Sequence, residues 1–436
     1  MMTLKLYIKI FGCQMNEYDA ARIIDYLKQS YKIILTECPE NADLILLITC
    51  SVRDKAQEKV FSDLGRFRFI QQEKPDVMIG VGGCVASQEG KAILRRAPYV
   101  NIIFGPQTLH RLPDMIKTAQ TTKKSVIDVS FPEIEKFDHL PTPHADGPSA
   151  YVSIMEGCNN YCSYCIVPFT RGKEISRPLE NILKEIDAFT KQQVKEIILL
   201  GQNVNNYKDG HFRLENLLHR IAENKYIRRI RFLTSHPAYF TDELIETYKQ
   251  IPKLVSHLHL PVQSGSDHVL KMMRRRYTVE QFNIIINKLR NARPAITIST
   301  DFIVGFPGET EEDFENTMQL ARNIGFDASY SFIYSQRPGT TAADLVETLS
   351  LATKKQRLDA LQALLQQSAQ HIGETMIGTV QSVLVTKHAR KDASELCGRT
   401  ENNRIVNFAG DSTLIGEFVP VKITEVRTNT LRGEIA

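Results

Sequence analysis

The sequence predicts an α/β protein in three parts. These are an N-terminal doubly wound parallel sheet, a central partial (β/α)6 barrel and a small C-terminal all-β, OB-like barrel. Three observations predict this. Short β-branched or apolar runs alternate with amphipathic stretches over residues 6–119, and again over 151–371. A proline-rich stretch separates the two blocks, and beyond Gly373 only strand-like runs remain. Strand–helix alternation is the pattern of a parallel sheet with crossover helices, whereas short strands with Gly and Asn turns fit a small barrel. The expected boundaries are 3–120, a linker over 121–143, 144–372 and 374–436.

In the first block LYIKIF (6–11), LILLIT (44–49), VMIGVGG (77–83) and VNIIFG (100–105) read as strands. Helices are expected over 16–30, 53–67, 87–95 and 109–119. The stretch 121–149 contains Pro132, Pro141, Pro143 and Pro148 and little helical periodicity, so it reads as a linker with at most one strand. His139 and His144 lie there and read as solvated linker histidines. In the second block strands are expected over 151–157, 196–202, 229–235, 256–262, 296–306 and 327–335. Helices should fill the gaps near 178–192, 213–223, 241–250, 278–291, 310–323 and 350–371. Six such units are two short of a closed eight-unit barrel. The C-terminal runs TVQSVLVTKHA, CGRTENNRIVNF, GEFVPVKITEVRT and LRGEIA supply the strands of the last barrel.

Composition bounds the function. The chain has 436 residues, and at about 100–200 residues per domain it should hold two to four domains. Lys+Arg is 54 and Asp+Glu is 50, a formal net charge of +4, which excludes a highly basic tail binder. No apolar run approaches the length of about 18–20 residues that a membrane-spanning helix needs, so no membrane partner is expected. The N-terminal MMTLKLYIKIFG lacks an apolar core followed by a small-residue cleavage site, so a cytoplasmic location is expected.

The eight cysteines carry the sharpest signal. They are too sparse for a disulfide scaffold, and in a reducing compartment their clustering points to metal or redox chemistry. GCNNYCSYC places Cys158, Cys162 and Cys165 in a C-x3-C-x2-C run directly after a predicted strand. Three thiolates within eight residues can hold three irons of a cubic 4Fe–4S cluster and leave the fourth iron open to a ligand. A structural zinc site is the alternative, but zinc prefers a closed set of four ligands, and no fourth Cys or His lies nearby in sequence.

A second set is spread along the chain. Cys13 follows LYIKIFG, Cys50 follows LILLIT and Cys84 follows VMIGVGG. In a parallel sheet all three strand ends point the same way, so three loops converge on the edge where open α/β sheets bind ligands. The alternative is three buried cysteines packing as small apolar side chains. Matched positions, two of them just after Gly, favour a site. Cys38 and Cys397 fit neither pattern and read as structural or solvent thiols.

Other features are weaker. There is no G-x-x-x-x-G-K-[ST] loop, and GVGGCV lacks the third Gly of a dinucleotide fingerprint. His236, His257 and His259 read as core or strand-face histidines. Arg228, Arg229 and Arg231, and Arg274, Arg275 and Arg276, form basic clusters that read as solvated faces or phosphate contacts.

With an aromatic residue before its last Cys, the C-x3-C-x2-C run resembles that of radical S-adenosylmethionine (SAM) enzymes. FGCQMNEYD, ITCSVRDKA, VGGCVASQ, SIMEGCNNYCSYCIVPFTRGKEISRP and GRTENNRIVNF narrow the resemblance to the methylthiotransferase family of radical SAM enzymes, over nearly the whole chain. The resemblance implies an N-terminal methylthiotransferase domain, a radical SAM core and a C-terminal TRAM domain that binds RNA. It implies that Cys158, Cys162 and Cys165 hold a SAM-binding 4Fe–4S cluster, and that Cys13, Cys50 and Cys84 hold an auxiliary one. The implied reaction adds a methylthio group to C2 of N6-isopentenyladenosine beside the tRNA anticodon. One SAM donates the methyl group and a second supplies the 5′-deoxyadenosyl radical. No catalytic residue beyond the two clusters is implied. An aromatic C–H resists acid–base chemistry, which suits a cofactor radical held in place by protein.

The same resemblance implies SAM contacts from Tyr164, beside the adenine, and from Gln202 and Asn203, where many radical SAM proteins carry Gly-Gly-Glu. It adds Gln263 and Ser264, and Asp301 and Gly305 on the fifth strand, with Asp301 in place of a glycine often seen there. In the last domain eight Lys/Arg are matched by eight Asp/Glu, so Arg399, Asn402, Asn403 and Arg404 are local RNA candidates rather than part of a basic surface. Implied partners are tRNA bearing isopentenyladenosine, an electron donor such as a flavodoxin or ferredoxin, and a sulfur or cluster carrier. Two rivals remain at this point. One is a sibling enzyme acting on threonylcarbamoyl-adenosine tRNA or on a ribosomal-protein aspartate. The other is a non-catalytic RNA-binding protein with structural metal.

Overall fold

The computed structural model describes all residues except 52–53, 132–134 and 139, and leaves out the side chains of 54–57, 135 and 138 as well. His139 therefore lies outside the described residues, as does the start of the helix expected from residue 53. The chain forms two compact units. The first comprises Met1–His144, Met155–Asn159 and Cys165–Arg177. The second comprises Ala145–Ile154, Asn160–Tyr164 and Pro178–Ala436.

The first unit is built on a six-stranded parallel sheet. Its strands are β1 (Met2–Ile10), β2 (Tyr31–Leu35), β3 (Leu44–Thr49), β4 (Met78–Gly83), β5 (Ile102–Phe104) and β6 (Val126–Asp128), in the order β2-β1-β3-β4-β5-β6. Every residue of β3 and β4 is buried. Along β3 the sides alternate between two cores. Leu44, Leu46 and Ile48 enter one, and Ile45 and Leu47 enter the other. A strand buried on both faces must read as a continuous apolar run, and LILLIT does. The edge strand β2 was not legible in this way, because YKIIL is mostly half-buried or exposed and shows no clear pattern. The expected linker contributes β6 to the sheet, and its short helix Glu135–Asp138 carries the buried Lys136.

The second unit opens with six parallel strands: β7 (Ser149–Ser153), β8 (Glu196–Leu200), β9 (Arg229–Phe232), β10 (His257–His259), β11 (Thr297–Val304) and β12 (Ala328–Ile333). They form two three-stranded sheets, β9-β8-β7 and β10-β11-β12. An isolated bridge, Ile230 to Leu254, continues the pairing from β9 toward β10. The crossover helices fall where the sequence placed them, including Val279–Ala292 and Glu311–Ile324. Thr278 with Gln281, and Thr310 with Asp313, close reciprocal capping boxes that satisfy the orphan donors of these helix starts. Strands and helices together make the partial (β/α)6 barrel.

The long helix Leu351–Thr375 leads into a closed five-stranded barrel. Its strands are β13 (Val380–His388), β14 (Glu395–Arg399), β15 (Ile405–Ala409), β16 (Phe418–Val426) and β17 (Leu431–Ile435), ordered β13-β14-β15-β17-β16. Parallel pairing of β15 with β17 lets the sheet close. Val383, Val385, Phe408, Val421 and Ile423 fill its core.

Of the six arginines read as solvated faces or phosphate contacts, Arg228, Arg274 and Arg276 are exposed, whereas Arg229, Arg231 and Arg275 are buried and have other work. Arg229 and Arg231 are buried against Glu196 on β8 and donate to carbonyls of the C-terminal barrel. Arg229 reaches Ser382 O at 2.8 Å, and Arg231 reaches Glu401 O at 3.0 Å. Arg404 pairs with Asp327 at the start of β12, and Asn402 approaches the same carboxylate at 3.4 Å. This part of GRTENNR is thus where the small barrel meets the six-stranded core. The sequence showed charge there but not what the charge faced.

Candidate cluster-binding sites

The cysteines Cys13, Cys50 and Cys84 stand at the ends of β1, β3 and β4, on one edge of the parallel sheet. Cys13 precedes the helix Gln14–Ser30, and Cys84 is the first residue of the helix Cys84–Glu89. Two glycines allow the loops to meet. Gly12 has φ +101°, and a Cβ there would lie 2.2 Å from Cys50 Cβ and 2.6 Å from its sulfur. Gly83 has φ +92°, and a Cβ there would lie 2.5 Å from the Thr49 carbonyl oxygen. Only glycine takes that backbone while leaving the space to its neighbours. The Gly12-Cys13 and Gly83-Cys84 pairs therefore bring the first and third cysteine loops against the second.

The Cys13 thiol is held down at about 6. The main cause is a hydrogen bond with Cys50, aided by the Arg171 charge and by backbone N–H groups of Asn16 and Met15, against the opposing effect of burial. A lowered thiol at a helix start is the state a metal-binding cysteine needs. Cys50 and Cys84 are buried. The donor chemistry suits an iron–sulfur cluster: Cys13 and Cys50 are hydrogen-bonded, Cys84 stands on the same sheet edge, and the buried Arg171 charge acts on both Cys13 and Cys84, while among the described residues no three His, Cys, Asp or Glu side chains stand close enough to hold a single metal ion.

That cation is Arg171, which the sequence reading did not single out. Its Nε donates to Cys84 Sγ at 3.4 Å, Nη1 to Glu156 at 2.6 Å, and Nη2 to Asp19 at 2.8 Å and Asn16 at 3.2 Å. Lys136 Nζ joins the same two carboxylates at 3.0 and 2.7 Å. All six side chains are buried. Burial alone would push the Arg171 guanidinium down, but Asp19, Cys84, Glu156 and Cys13 together hold it well above its usual value. Burial pushes the Asp19 carboxyl up, and Arg171 and Lys136 more than reverse this. The signal that could have found the network is the placing of charged residues inside the motif segments NEYD and MEGC…PFTRG, where nothing amphipathic requires them.

Of the second trio, Cys158 and Cys165 belong to the first unit and Cys162 to the second. Cys158 N donates to Gly172 O at 3.2 Å. Cys162 is buried over Arg275, whose Nη1 lies 3.7 Å from its sulfur. Ser163 N and Oγ donate to the carbonyls of Met273 and Met272, which ties this turn to the loop after β10.

Of the remaining sequence candidates of the second unit, Gln202, Asn203, Gln263, Ser264 and Gly305 follow the carboxyl ends of strands, whereas Asp301 lies within its strand and Tyr164 within the cysteine turn. Tyr164 packs on Met273, Phe306 and Tyr334. Gln202 and the buried Asn203 follow β8. Gln263 follows β10 with φ +73°, and its backbone bridges β11 through Asp301 O and Ile303 N. A left-handed non-glycine residue costs about 1–3 kcal/mol and persists where surrounding structure forces it. Ser264 is buried, its hydroxyl 3.3 Å from Thr317 Oγ1 and accepting from Ser266 N, so it shapes the Gln263 loop. Asp301 lies on β11 with an oxygen 3.5 Å from His259 Nε2. Gly305 closes β11 with φ +68° beneath the Lys354 stem. On the edge strand β12, Tyr330 and Phe332 are exposed, and Tyr330 is paired in register with Asp301.

His236 and His257 are buried, as expected of core histidines. His236 Nδ1 accepts from Ala238 N at 3.1 Å, and burial with Arg275 and Arg276 nearby holds its ring down at about 2. Cys38 is exposed and Cys397 lies on β14, and neither joins another cysteine.

Comparison with known proteins bears on these sites. Residues 152–321 match the model of the radical SAM superfamily, 5–105 that of Uncharacterized protein family UPF0004, and 374–436 that of the TRAM domain. Among curated relatives, tRNA-2-methylthio-N(6)-dimethylallyladenosine synthase of Nitrosomonas eutropha is 57% identical over 440 residues, covering 100% of this chain and 99% of its own. The protein of that name from Methylobacillus flagellatus is 58% identical over 436 residues, covering 99% of each. Among solved structures, the radical S-adenosylmethionine methyltransferase TsrM of Kitasatospora setae aligns with a TM-score of 0.59 at 13% identity, over 78% of this chain and 75% of its own. At that identity the last likeness concerns the fold.

Proposed function

The chain belongs to the family of tRNA-2-methylthio-N(6)-dimethylallyladenosine synthases, and we propose that its two cysteine sets divide that family's reaction between them. It is a radical SAM methylthiotransferase. It adds a methylthio group to C2 of N6-isopentenyladenosine next to the tRNA anticodon, using two 4Fe–4S clusters and two SAM molecules, one as methyl donor and one as radical source.

In this reading residues 3–120 carry the auxiliary site, 121–143 connect, 144–372 form the radical SAM core and 374–436 bind RNA. Cys158, Cys162 and Cys165 hold the cluster that binds SAM, and Cys13, Cys50 and Cys84 hold the auxiliary one. When bound, the first cluster supplies the electron that breaks a C–S bond of SAM. Tyr164 borders the adenine, and Gln202, Asn203, Gln263, Asp301 and Gly305 orient the cofactor, while Ser264 acts through the Gln263 loop. Exposed Tyr330 and Phe332 offer an unpaired base a stacking surface beside Asp301. The reaction calls for an electron donor such as a flavodoxin or ferredoxin, and a sulfur or cluster carrier replenishes the auxiliary site. The protein works in the cytoplasm. Among the described residues no helix is long and apolar enough to cross a membrane.

The observation that carries the reading is the convergence of Cys13, Cys50 and Cys84 at one sheet edge, in a chain that also holds a C-x3-C-x2-C run. Anaerobic reconstitution tests it. Two clusters require about eight irons per chain. Cys158→Ala should abolish 5′-deoxyadenosine formation. Cys50→Ala should leave it largely intact while stopping methylthio insertion, as read by nucleoside analysis of the tRNA. Stoichiometric zinc without SAM cleavage would overturn the reading. Modification of threonylcarbamoyl-adenosine instead would move the chain to the sibling activity.

A further inference from the structure

The most heavily invested buried charge in the first unit is not a cysteine. Arg171 has five N–H donors, and the contacts above use four of them, one on a thiol sulfur and three on buried oxygens. Asp19 and Glu156 grip it from two sides, and Lys136 shares both carboxylates. Two cations and two carboxylates balance without any thiolate. A negative cluster held by Cys84 would therefore be the one acceptor in the network whose charge is not already matched within it.

From this geometry we infer that Arg171 is a positioning residue of the auxiliary site, which sets the potential at which a cluster on Cys13, Cys50 and Cys84 takes up one electron. Reduction adds one negative charge to the cluster. A fixed guanidinium donating to a ligand sulfur stabilises that charge more than the oxidised state, so it raises the potential. Asp19 and Glu156 prevent the guanidinium from turning away. Arg171 lies only six residues after Cys165, so a sequence segment bearing one cysteine set also carries the cation for the other. The inference rests on the reading that the early trio holds a cluster.

The test uses the full chain with Cys158, Cys162 and Cys165 all replaced by Ala, so that only the auxiliary site can load. Arg171→Gln is combined with Asp19→Asn, which keeps the buried charge balanced and retains the Lys136–Glu156 pair. Dithionite titration is followed by electron paramagnetic resonance. We expect the reduced-to-oxidised ratio at a fixed potential to fall about tenfold, which is about 59 mV for one electron. Arg171→Lys, which keeps the positive charge but cannot reproduce the guanidinium donation to Cys84, should shift the ratio in the same direction by less. Four irons bound with an unchanged potential in both variants would overturn the inference and leave the function standing. Failure of the triple-Ala parent itself to bind iron would instead overturn the reading of the site. If the double variant does not fold, Arg171→Lys alone decides.

Discussion

The guanidinium of Arg275 lies 3.7 Å from the sulfur of Cys162, the middle cysteine of the C-x3-C-x2-C run. The same group donates to Pro261 O at 2.8 Å and to the Tyr277 hydroxyl at 3.0 Å, and Tyr277 in turn donates to Val262 O at 2.7 Å. Burial alone would push the guanidinium down, but Tyr277, Tyr164 and Cys162 hold it well above its ordinary value. Arg275 thus joins Cys162, a ligand in the proposed function, to the strand-end segment that leads into Gln263. Arg275→Gln should lower thermal stability by about 1–3 kcal/mol, the usual cost of leaving buried partners unsatisfied. It should also reduce the yield of 5′-deoxyadenosine per bound iron. A variant with unchanged stability and yield would show that the contact is incidental.

Gly83→Ala should empty the auxiliary site while sparing the other. The left-handed backbone costs an alanine about 1–3 kcal/mol, and its methyl would press on the Thr49 carbonyl next to Cys50. Iron analysis should fall from about eight to about four per chain, the content of one cluster. SAM cleavage should persist. Full iron loading would show that the three loops do not depend on this close approach.

The small barrel is held by charge as well as by packing. Burial raises the Asp327 carboxyl and Arg404 opposes it, with its Nε 2.9 Å from the nearer oxygen. Arg404→Met should cost about 3–5 kcal/mol, because a buried carboxylate loses its partner. Adding Asp327→Asn should restore much of that, since the pair is coupled. Chemical denaturation of the four proteins measures the coupling, and simple additivity would mean that the pair contributes nothing.

Acid should act partly through His236. Its folded ring is held down at about 2, whereas an unfolded histidine titrates near 6.5. Above pH 6.5 both states are neutral at this site. As pH falls below that value the unfolded chain takes up the proton first, so stability drains between about 6.5 and 2. His236→Asn keeps a cap acceptor for Ala238 N but cannot titrate. Its melting temperature should lie below that of the parent at pH 7 and should fall less between pH 7 and pH 5. Equal slopes would rule out His236 as a contributor.

Much of the architecture could be read in advance, for identifiable reasons. Strands buried on both faces, such as β3 and β4, announce themselves as unbroken apolar runs, and the crossover helices announce themselves by capping pairs such as Thr278 with Gln281. The edge strand β2 carries no such signal, because one side of it faces solvent. Charged residues misled in the opposite direction. Arg229, Arg231 and Arg275 look like surface residues in a linear text, yet each is buried because its guanidinium finds carbonyls, carboxylates or sulfur from distant segments.

What the amino-acid order determined alone is the set of six thiols, their place after strands, and the glycines that let two of them approach a third. These are local properties, set by spacing, strand propensity and backbone freedom. What only the tertiary structure decided is which charges stand behind them. Arg171 reaches Cys84 across 87 positions and Arg275 reaches Cys162 across 113. No local rule relates residues so far apart. They meet because an arginine buried by the packing of whole elements must find acceptors or leave its charge unsatisfied; nearer oxygens take most of the N–H groups of each, and a cysteine sulfur takes one more.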